Sequence, residues 1–247
     1  MEKKRVRLYV AYDGTNYHGW QLQKNGITIE SELNRCLTEL LHEEIAVIGA
    51  SRTDAGVHAL GNVAVFDTTS PIPAEKISYA LNQHLPEDIR IQKSDQVPDD
   101  WHPRHCDSRK TYQYRIYTAE FPLPTKRLYS YFTYYKLDVD KMQQAAKHLI
   151  GEHDFGGFCQ AGAQVETTVR TLYKADVTKE GDDIVITVCG NGFLYNMVRI
   201  IAGTLMEVGK GKREPEQILE ILQTADRTKA GPTAPPEGLT LIKYEYL

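Results

Sequence analysis

The sequence lacks the features that mark several large classes of protein. Its 247 residues contain no uninterrupted apolar run of 18 residues, so no membrane-spanning helix is expected. The basic N-terminus is not followed by the apolar core of a signal peptide. The four cysteines are scattered and form no Cys-x-x-Cys pair, which argues against a zinc site or a disulfide framework. Together these absences favour a reduced, cytoplasmic protein.

Motifs for nucleotide and metal chemistry are also missing. The glycine-bearing loops at 12–15 and 209–213 contain neither Gly-Lys-Ser/Thr nor Gly-x-Gly-x-x-Gly after a strand, so we interpret them as solvated loops. The His-x-Glu and Pro-Cys-x-x-Cys motifs of a zinc-dependent nucleoside deaminase are absent as well. These absences argue against a phosphate-binding loop and against a zinc-dependent deaminase.

Basic residues do not dominate the composition, but they are concentrated in one stretch. The net charge is −4, which is unusual for a protein that binds RNA. Residues 101–136 nevertheless contain seven Lys or Arg against two acidic residues, together with seven of the fifteen tyrosines. Basic and aromatic side chains can contact phosphates and stacked bases, and Arg109 and Lys110 are predicted substrate contacts. The alternative is a strand pair with tyrosines on one face and solvated cations on the other.

The pattern of apolar residues predicts an α+β protein. Strands are expected at 5–12, 45–49, 61–67, 88–95, 110–118, 128–135, 170–179, 183–190 and 239–246, and helices at 28–42, 74–83, 138–150, 193–208 and 214–224. Two successive β-α-β-β-α-β patterns indicate two ferredoxin-like (RRM-like) halves, which we place at 1–104 and 105–247.

One loop between two predicted strands concentrates polar chemistry. The run from Gly49 to Leu60 presents Arg52, Asp54 and His58, and catalytic or binding residues favour such loops on rigid scaffolds. The residues by themselves favour a simpler reading, in which Asp54 bonds neighbouring amides in an Asx-type turn and Arg52 is solvated.

Two further segments carry candidate functional residues. The predicted helix after Phe193 is apolar almost all round, so Arg199 within it requires a carboxylate or a polyanion as partner. The alternative is an arginine at the helix edge whose stem covers apolar surface. On the strand 110–118, alternation places Tyr112 and Tyr114 on one face, where they could equally be half-buried sheet residues.

The run Arg52-Thr53-Asp54-Ala55-Gly56-Val57-His58 resembles the signature loop of the TruA-type tRNA pseudouridine synthases. Ser51 stands where a glycine is expected in that loop. The run Phe193-x-x-x-Met197-Val198-Arg199 resembles a second motif of the family, and residues 237–244 resemble its closing strand. The resemblance covers the whole chain and implies two related halves with a joined, mostly antiparallel sheet and a central active-site cleft.

The resemblance also implies roles for individual residues. Asp54 would be the catalytic carboxylate, and Arg199 would pair with it. Tyr112 would stack on uracil, since a phenol with a pKa near ~10 is a poor base at neutral pH. Leu239 or Leu241 would line the uracil pocket with apolar groups.

The implied reaction is the isomerisation of uridine to pseudouridine at positions 38, 39 and 40 of the tRNA anticodon stem-loop, by a homodimer without a cofactor. A stacked uridine would have to be flipped out. Arg52 or His58 would enter the vacated space, with Arg52 favoured for guanidinium stacking. A packed histidine is the alternative for His58. The competing function is a non-catalytic RNA-binding module, which would leave Arg199 unexplained.

Overall fold

The structure is a computed structural model that describes residues 2–162 and 165–247. The chain divides into two compact units, the first comprising residues 1–108 and 241–247 and the second residues 109–240. The α+β class and the mostly antiparallel strand pairing agree with the sequence prediction. Within the described residues, no helix is both long and apolar enough to cross a membrane.

The first unit follows the predicted β-α-β-β-α-β order. Its elements are β1 (Lys4–Tyr12), α1 (Ile29–Leu41), β2 (Ile48–Gly49), β3 (His58–Thr68), α2 (Ala74–Leu81) and β4 (Ile89–Val97). The final strand, β10 (Leu239–Tyr246), returns most of its residues to this unit. The strand order is β4-β1-β3-β10, with β2 paired to β3.

The local sequence explains these elements. In β1 every second residue is buried, from Val6 to Tyr12, as expected for a strand with one face on the core. Helix α1 begins with a reciprocal capping box, in which Thr28 and Ser31 each bond the other's backbone amide.

The predicted strand 45–49 is wrong in its first three residues. The amides of Ile45 and Val47 donate instead to side chains of α1, namely Thr38 Oγ1 at 3.1 Å and Asn34 Oδ1 at 2.8 Å. These donors are therefore not available to a strand ladder, and β2 keeps two residues. Strand β3 begins at His58, earlier than the predicted residue 61.

The second unit contains the remaining elements. These are β5 (Ser108–Thr118), β6 (Tyr131–Thr133), α3 (Val139–Lys147), β7 (Gly151–Asp154), β8 (Val169–Glu180), β9 (Asp183–Gly190), α4 (Met197–Gly209) and α5 (Gln217–Thr224). The strand order is β5-β9-β8-β7, and β6 pairs in parallel with β5. The sequence did not predict β7, and the predicted strand 128–135 is only three residues long.

Helix α4 begins four residues later than predicted. Asn196 has a left-handed backbone (φ +58°), which ends the preceding turn before the helix starts at Met197. Most of the helix is buried. A Cβ added at Gly203 would lie 1.8 Å from the carbonyl oxygen of Pro232, so glycine lets the segment before β10 pack directly on this helix.

Candidate active site

The loop between β2 and β3 ends in a tight turn that fixes the backbone around Asp54. The amide of Val57 donates to the carbonyl of Asp54 at 3.2 Å, and Gly56, third in the turn, has a φ of +78°. A type II turn needs glycine there because other residues are strained at positive φ. Asp54 itself is half-buried.

The segment before α1 also forms hydrogen bonds with this loop. Trp20 donates its amide to the carbonyl of Thr53 at 3.0 Å, and Gly56 donates its amide to Tyr17 at 3.3 Å. Gly19 has a φ of +84°, and a Cβ there would lie 2.4 Å from the Thr53 carbonyl oxygen. Main-chain contacts therefore hold the Thr53–Asp54 peptide and the Gly56 amide, and a bulkier residue at position 19 would collide with the backbone from Thr53 to Ala55.

A buried polar network of Asn62 and Tyr12 bonds the loop at Ser51 and Thr53. The Asn62 side chain is fully buried, accepts the amide of Ser51 at 3.3 Å and donates to the Ser51 carbonyl at 3.0 Å. It also donates to the hydroxyl of Tyr12 at 3.4 Å, which bonds Thr53 Oγ1 at 2.8 Å. Burial raises the pKa of Tyr12, so this hydroxyl keeps its proton and remains a donor.

The same network shows why Ser51 can replace a glycine. Ser51 does not have a positive φ. Its amide and carbonyl are both bonded to Asn62, so the backbone is fixed without the conformational freedom that only glycine has.

The two residues predicted to flank Asp54 have different surroundings. Arg52 is exposed, whereas His58 is only 3% exposed. His58 Nδ1 accepts the amide of Gly14 at 3.1 Å and also lies 3.1 Å from Asp13 Oδ1. The same Asp13 oxygen also accepts the amide of Thr15. This geometry favours the packed reading of His58.

In the second unit, Tyr112 lies on β5 and is 6% exposed. Its ring meets that of Phe193 edge-on, with centroids 5.1 Å apart. The neighbouring Tyr114 is fully buried and donates its hydroxyl to the carbonyl of Pro235 at 2.9 Å. The tyrosines share the predicted face, and Phe193 restricts the orientation of the Tyr112 ring.

Arg199 lies in the first turn of α4 with its guanidinium held in place. Its Nε donates to the carbonyl of Ala234 at 2.7 Å, and its Nη1 donates to Asn196 Oδ1 at 2.9 Å. Asn196 in turn donates to Gln160 at 3.2 Å. A cation at the positive end of a helix dipole is unfavourable by itself, so this position favours a nearby negative group.

The other predicted site residues lie at strand ends. Leu239 and Leu241, at the start of β10, are buried. Arg109 is exposed with its guanidinium 4.7 Å above the ring of Tyr173, and Lys110 is half-buried. Within the described part of the chain, no group of three or more His, Cys, Asp or Glu is arranged to hold a metal ion.

Sequence reasoning missed the residues that support the loop, above all Asn62 and Tyr12. A signal was present, since Asn is rare within a strand-like run of Val, Ala and Phe, and a buried Asn must find partners there. Gly14 and Gly19 were also missed, because their role depends on how closely the Asp54 loop approaches them.

Comparison with known proteins gives consistent matches. The sequence model of a family described as tRNA pseudouridine synthase matches residues 8–105 and 145–247. A protein named tRNA pseudouridine synthase A from Thermoanaerobacter sp. (strain X514) is 49% identical over 243 residues, covering 98% of this chain and all of the relative. A protein of the same name from Acetivibrio thermocellus is 47% identical with the same coverage. The tRNA pseudouridine synthase A 2 of Clostridium tetani is 50% identical, covering 98% of this chain and 99% of its own.

A solved structure, a Cbf5-Nop10-Gar1 complex, aligns with 81% of this chain and 54% of its own at 15% identity, with a TM-score of 0.35. That likeness is too low to carry an argument.

Proposed function

The chain belongs to the tRNA pseudouridine synthase family, and from this premise we propose that Asp54 is the carboxylate that carries out its isomerisation of uridine to pseudouridine in tRNA. The observation that supports this role most directly is the rigidity of its loop. The Thr53 carbonyl accepts the amide of Trp20, the Gly56 amide donates to Tyr17, and the Asn62 side chain bonds the backbone of Ser51.

The reaction requires few protein groups besides a positioned carboxylate. The bond between uracil N1 and ribose C1′ breaks, the base turns, and a bond forms between C5 and C1′. N1 gains a proton and C5 loses one, so no atoms are added overall. An aspartate titrates near pH ~3.9 in water, so its carboxylate is ionised at neutral pH and can act as a nucleophile or a base.

Arg199 supplies the positive partner of the carboxylate in this proposal. Its guanidinium is already oriented by Ala234 and Asn196, so little side-chain entropy is lost when an anion binds. Tyr112 stacks on the uracil ring, and the edge-on contact with Phe193 supports a fixed ring orientation. Leu239 and Leu241 provide apolar surface for the base.

Flipping of the target uridine is assigned to Arg52. Removing a base from a stem costs a few kcal/mol, and a planar guanidinium in the vacated space stabilises the open state by stacking. Arg52 is exposed and suits this role. The buried His58 instead holds the turn at Gly14 against β3.

The substrate site is the anticodon stem-loop, at uridines 38, 39 and 40, as the family resemblance implies. Arg109 and Lys110 contact the RNA backbone. The enzyme acts as a homodimer in the cytoplasm, and pairing of two chains would combine basic patches that are modest in a chain of net charge −4.

The test is release of tritium from unmodified tRNA labelled at uracil C5, for the wild type and Asp54→Asn. We expect the variant to lose turnover and to bind tRNA almost as the wild type does. Asp100→Asn, a change at an exposed aspartate of the same unit, should keep full activity. Appreciable turnover by Asp54→Asn would overturn the assignment.

Two further measurements test the modified positions and the homodimer. Tritium release should disappear from tRNA in which uridines 38, 39 and 40 are replaced by cytidine, and release that persists would refute the positions. Sedimentation should give twice the chain mass for a homodimer. Salt-sensitive tRNA binding without tritium release by the wild type would favour the RNA-binding module instead.

A further inference from the structure

The segment that precedes β5 fixes the backbone next to Arg104. The carbonyl of Pro103 accepts two tyrosine hydroxyls, from Tyr244 and Tyr246, each at 3.2 Å. Ser108 donates to the Tyr244 hydroxyl at 3.1 Å. Two hydroxyl donors on one carbonyl leave little freedom for the adjoining peptide, so the direction in which the Arg104 side chain leaves the backbone is constrained.

The side chain of Arg104 is fixed at a second point. Its Nε donates to the carbonyl of Gly49 at 2.8 Å. Gly49 is the last residue of β2 and lies directly before the loop that carries Asp54. A Cβ on Gly49 would lie 2.2 Å from Trp20 Nε1, so this part of the backbone is closely packed. The Arg104 guanidinium therefore lies beside the Asp54 loop, within the same unit.

Arg52 and Arg104 place two positive charges close together at this loop. Arg104 is exposed as a whole residue, but partial desolvation of its guanidinium lowers its pKa, and the nearby positive charge of Arg52 lowers it further, as expected for two like charges. Among the described residues, no carboxylate lies within ion-pair distance of either group. Glu30 acts on Arg104 only from farther away, and its carboxylate accepts the amide of Leu22 at 2.6 Å.

The remaining donors of Arg104 suit an oxyanion. A guanidinium has five N–H groups in a planar fork, and the Gly49 carbonyl uses one of them. In the part of the chain that the structure describes, neither Nη atom has an acceptor. A hydrogen bond that joins two loops needs only one donor, so packing does not explain the other four N–H groups of Arg104.

We propose that Arg104 is a further substrate-positioning residue, whose guanidinium binds a phosphodiester oxygen of the tRNA beside the target uridine. This inference rests on the proposed function of Asp54. A phosphate accepts the planar fork well, and its negative charge offsets the repulsion between Arg104 and Arg52. Because the side chain is held at Gly49 before substrate arrives, the contact orders few additional torsions.

The test compares Arg104→Met and Arg104→Lys with Arg90→Met. Arg90 is the control, since it is an arginine of the same unit that, like Arg104, donates to backbone carbonyls, although Arg90 is half-buried and Arg104 is exposed. For Arg104→Met we expect KM to rise about tenfold, the usual loss for one charge-assisted contact, with kcat nearly unchanged. The slope of log binding constant against log salt should fall by about 0.9, which corresponds to one phosphate.

The lysine variant separates charge from geometry. Arg104→Lys should restore the salt slope and only part of the affinity, because a lysine retains the charge without the planar fork. A purely structural role predicts a lower melting temperature for Arg104→Met with an unchanged salt slope, and that result would overturn the inference. An equal change in slope for Arg90→Met would overturn it as well.

A neutral methylphosphonate next to the target uridine identifies the phosphate. At the correct position it should weaken binding by the wild type and cause no further loss in Arg104→Met. If the methylphosphonate and Arg104→Met weaken binding additively at both positions that flank the target uridine, the contact is refuted. Wild-type tritium release that depends on Asp54, with no effect of Arg104→Met, refutes this inference alone, whereas absent wild-type release refutes the proposed function.

Discussion

The contact between Tyr12 and Thr53 gives the sharpest test of how the Asp54 loop is held. The two hydroxyl oxygens are 2.8 Å apart, both side chains are buried, and Thr53 directly precedes Asp54. We change them to Tyr12→Phe and Thr53→Val, separately and together. Each change keeps the approximate shape of the side chain and removes a hydroxyl.

The expected magnitude follows from the partners that each change leaves behind. Tyr12→Phe leaves Thr53 Oγ1 buried without this bond and also removes the weaker contact from Asn62 at 3.4 Å. An unsatisfied buried hydroxyl costs ~1–2 kcal/mol. A chain of this size loses roughly 2–4 °C of melting temperature per kcal/mol, so each single change should lower it by roughly 2–8 °C.

The double variant should be less destabilised than the sum of the single changes, by about 1 kcal/mol, because neither hydroxyl then remains without its partner. Turnover should fall between about threefold and a hundredfold, since misplacing a reacting group by about 1 Å can cost ~10²-fold.

The assay is thermal or urea unfolding combined with tritium release under saturating tRNA. Tyr117→Phe is the control, because Tyr117 is a buried tyrosine of the other unit whose hydroxyl accepts the Leu123 amide at 2.9 Å. It should lose similar stability with unchanged kcat. A coupling energy near zero, or equal kcat losses in Tyr12→Phe and the control, would refute the reasoning.

Three other outcomes are expected. Gly203→Ala should lower the urea midpoint strongly, although alanine favours helices, because its Cβ would meet the Pro232 carbonyl. Asp67→Asn should cost below about 1 kcal/mol at pH 7, because the pair with Arg5 is partly solvated. Arg5 lowers the pKa of Asp67 to about 2, so the difference from wild type, measured as melting temperature, should shrink as pH falls from ~4 and disappear only below ~2. If stacking is the role of Tyr112, then Tyr112→Phe should retain most of its turnover and Tyr112→Ala should lose it.

Local sequence was enough to predict most elements, and it pointed to the run around Asp54 as the candidate site. Strand β1 and helix α1 were predicted because alternation and helical spacing report which face is buried. The seven-residue run around Asp54 pointed to the family because its polar residues, glycine and flanking strands occur together in a fixed order. The start of α4 was predicted wrongly, since apolar residues before Met197 extend the pattern beyond the left-handed Asn196.

Tertiary structure alone decided which polar groups meet. Tyr12 and Thr53 are 41 residues apart in the chain, and Arg104 and Gly49 are 55 apart, so no local pattern relates either pair. The burial of His58 and the shortening of β2 by side chains of α1 have the same origin. Periodicity shows where a side chain will be buried, whereas its hydrogen-bond partner depends on which distant segment packs beside it.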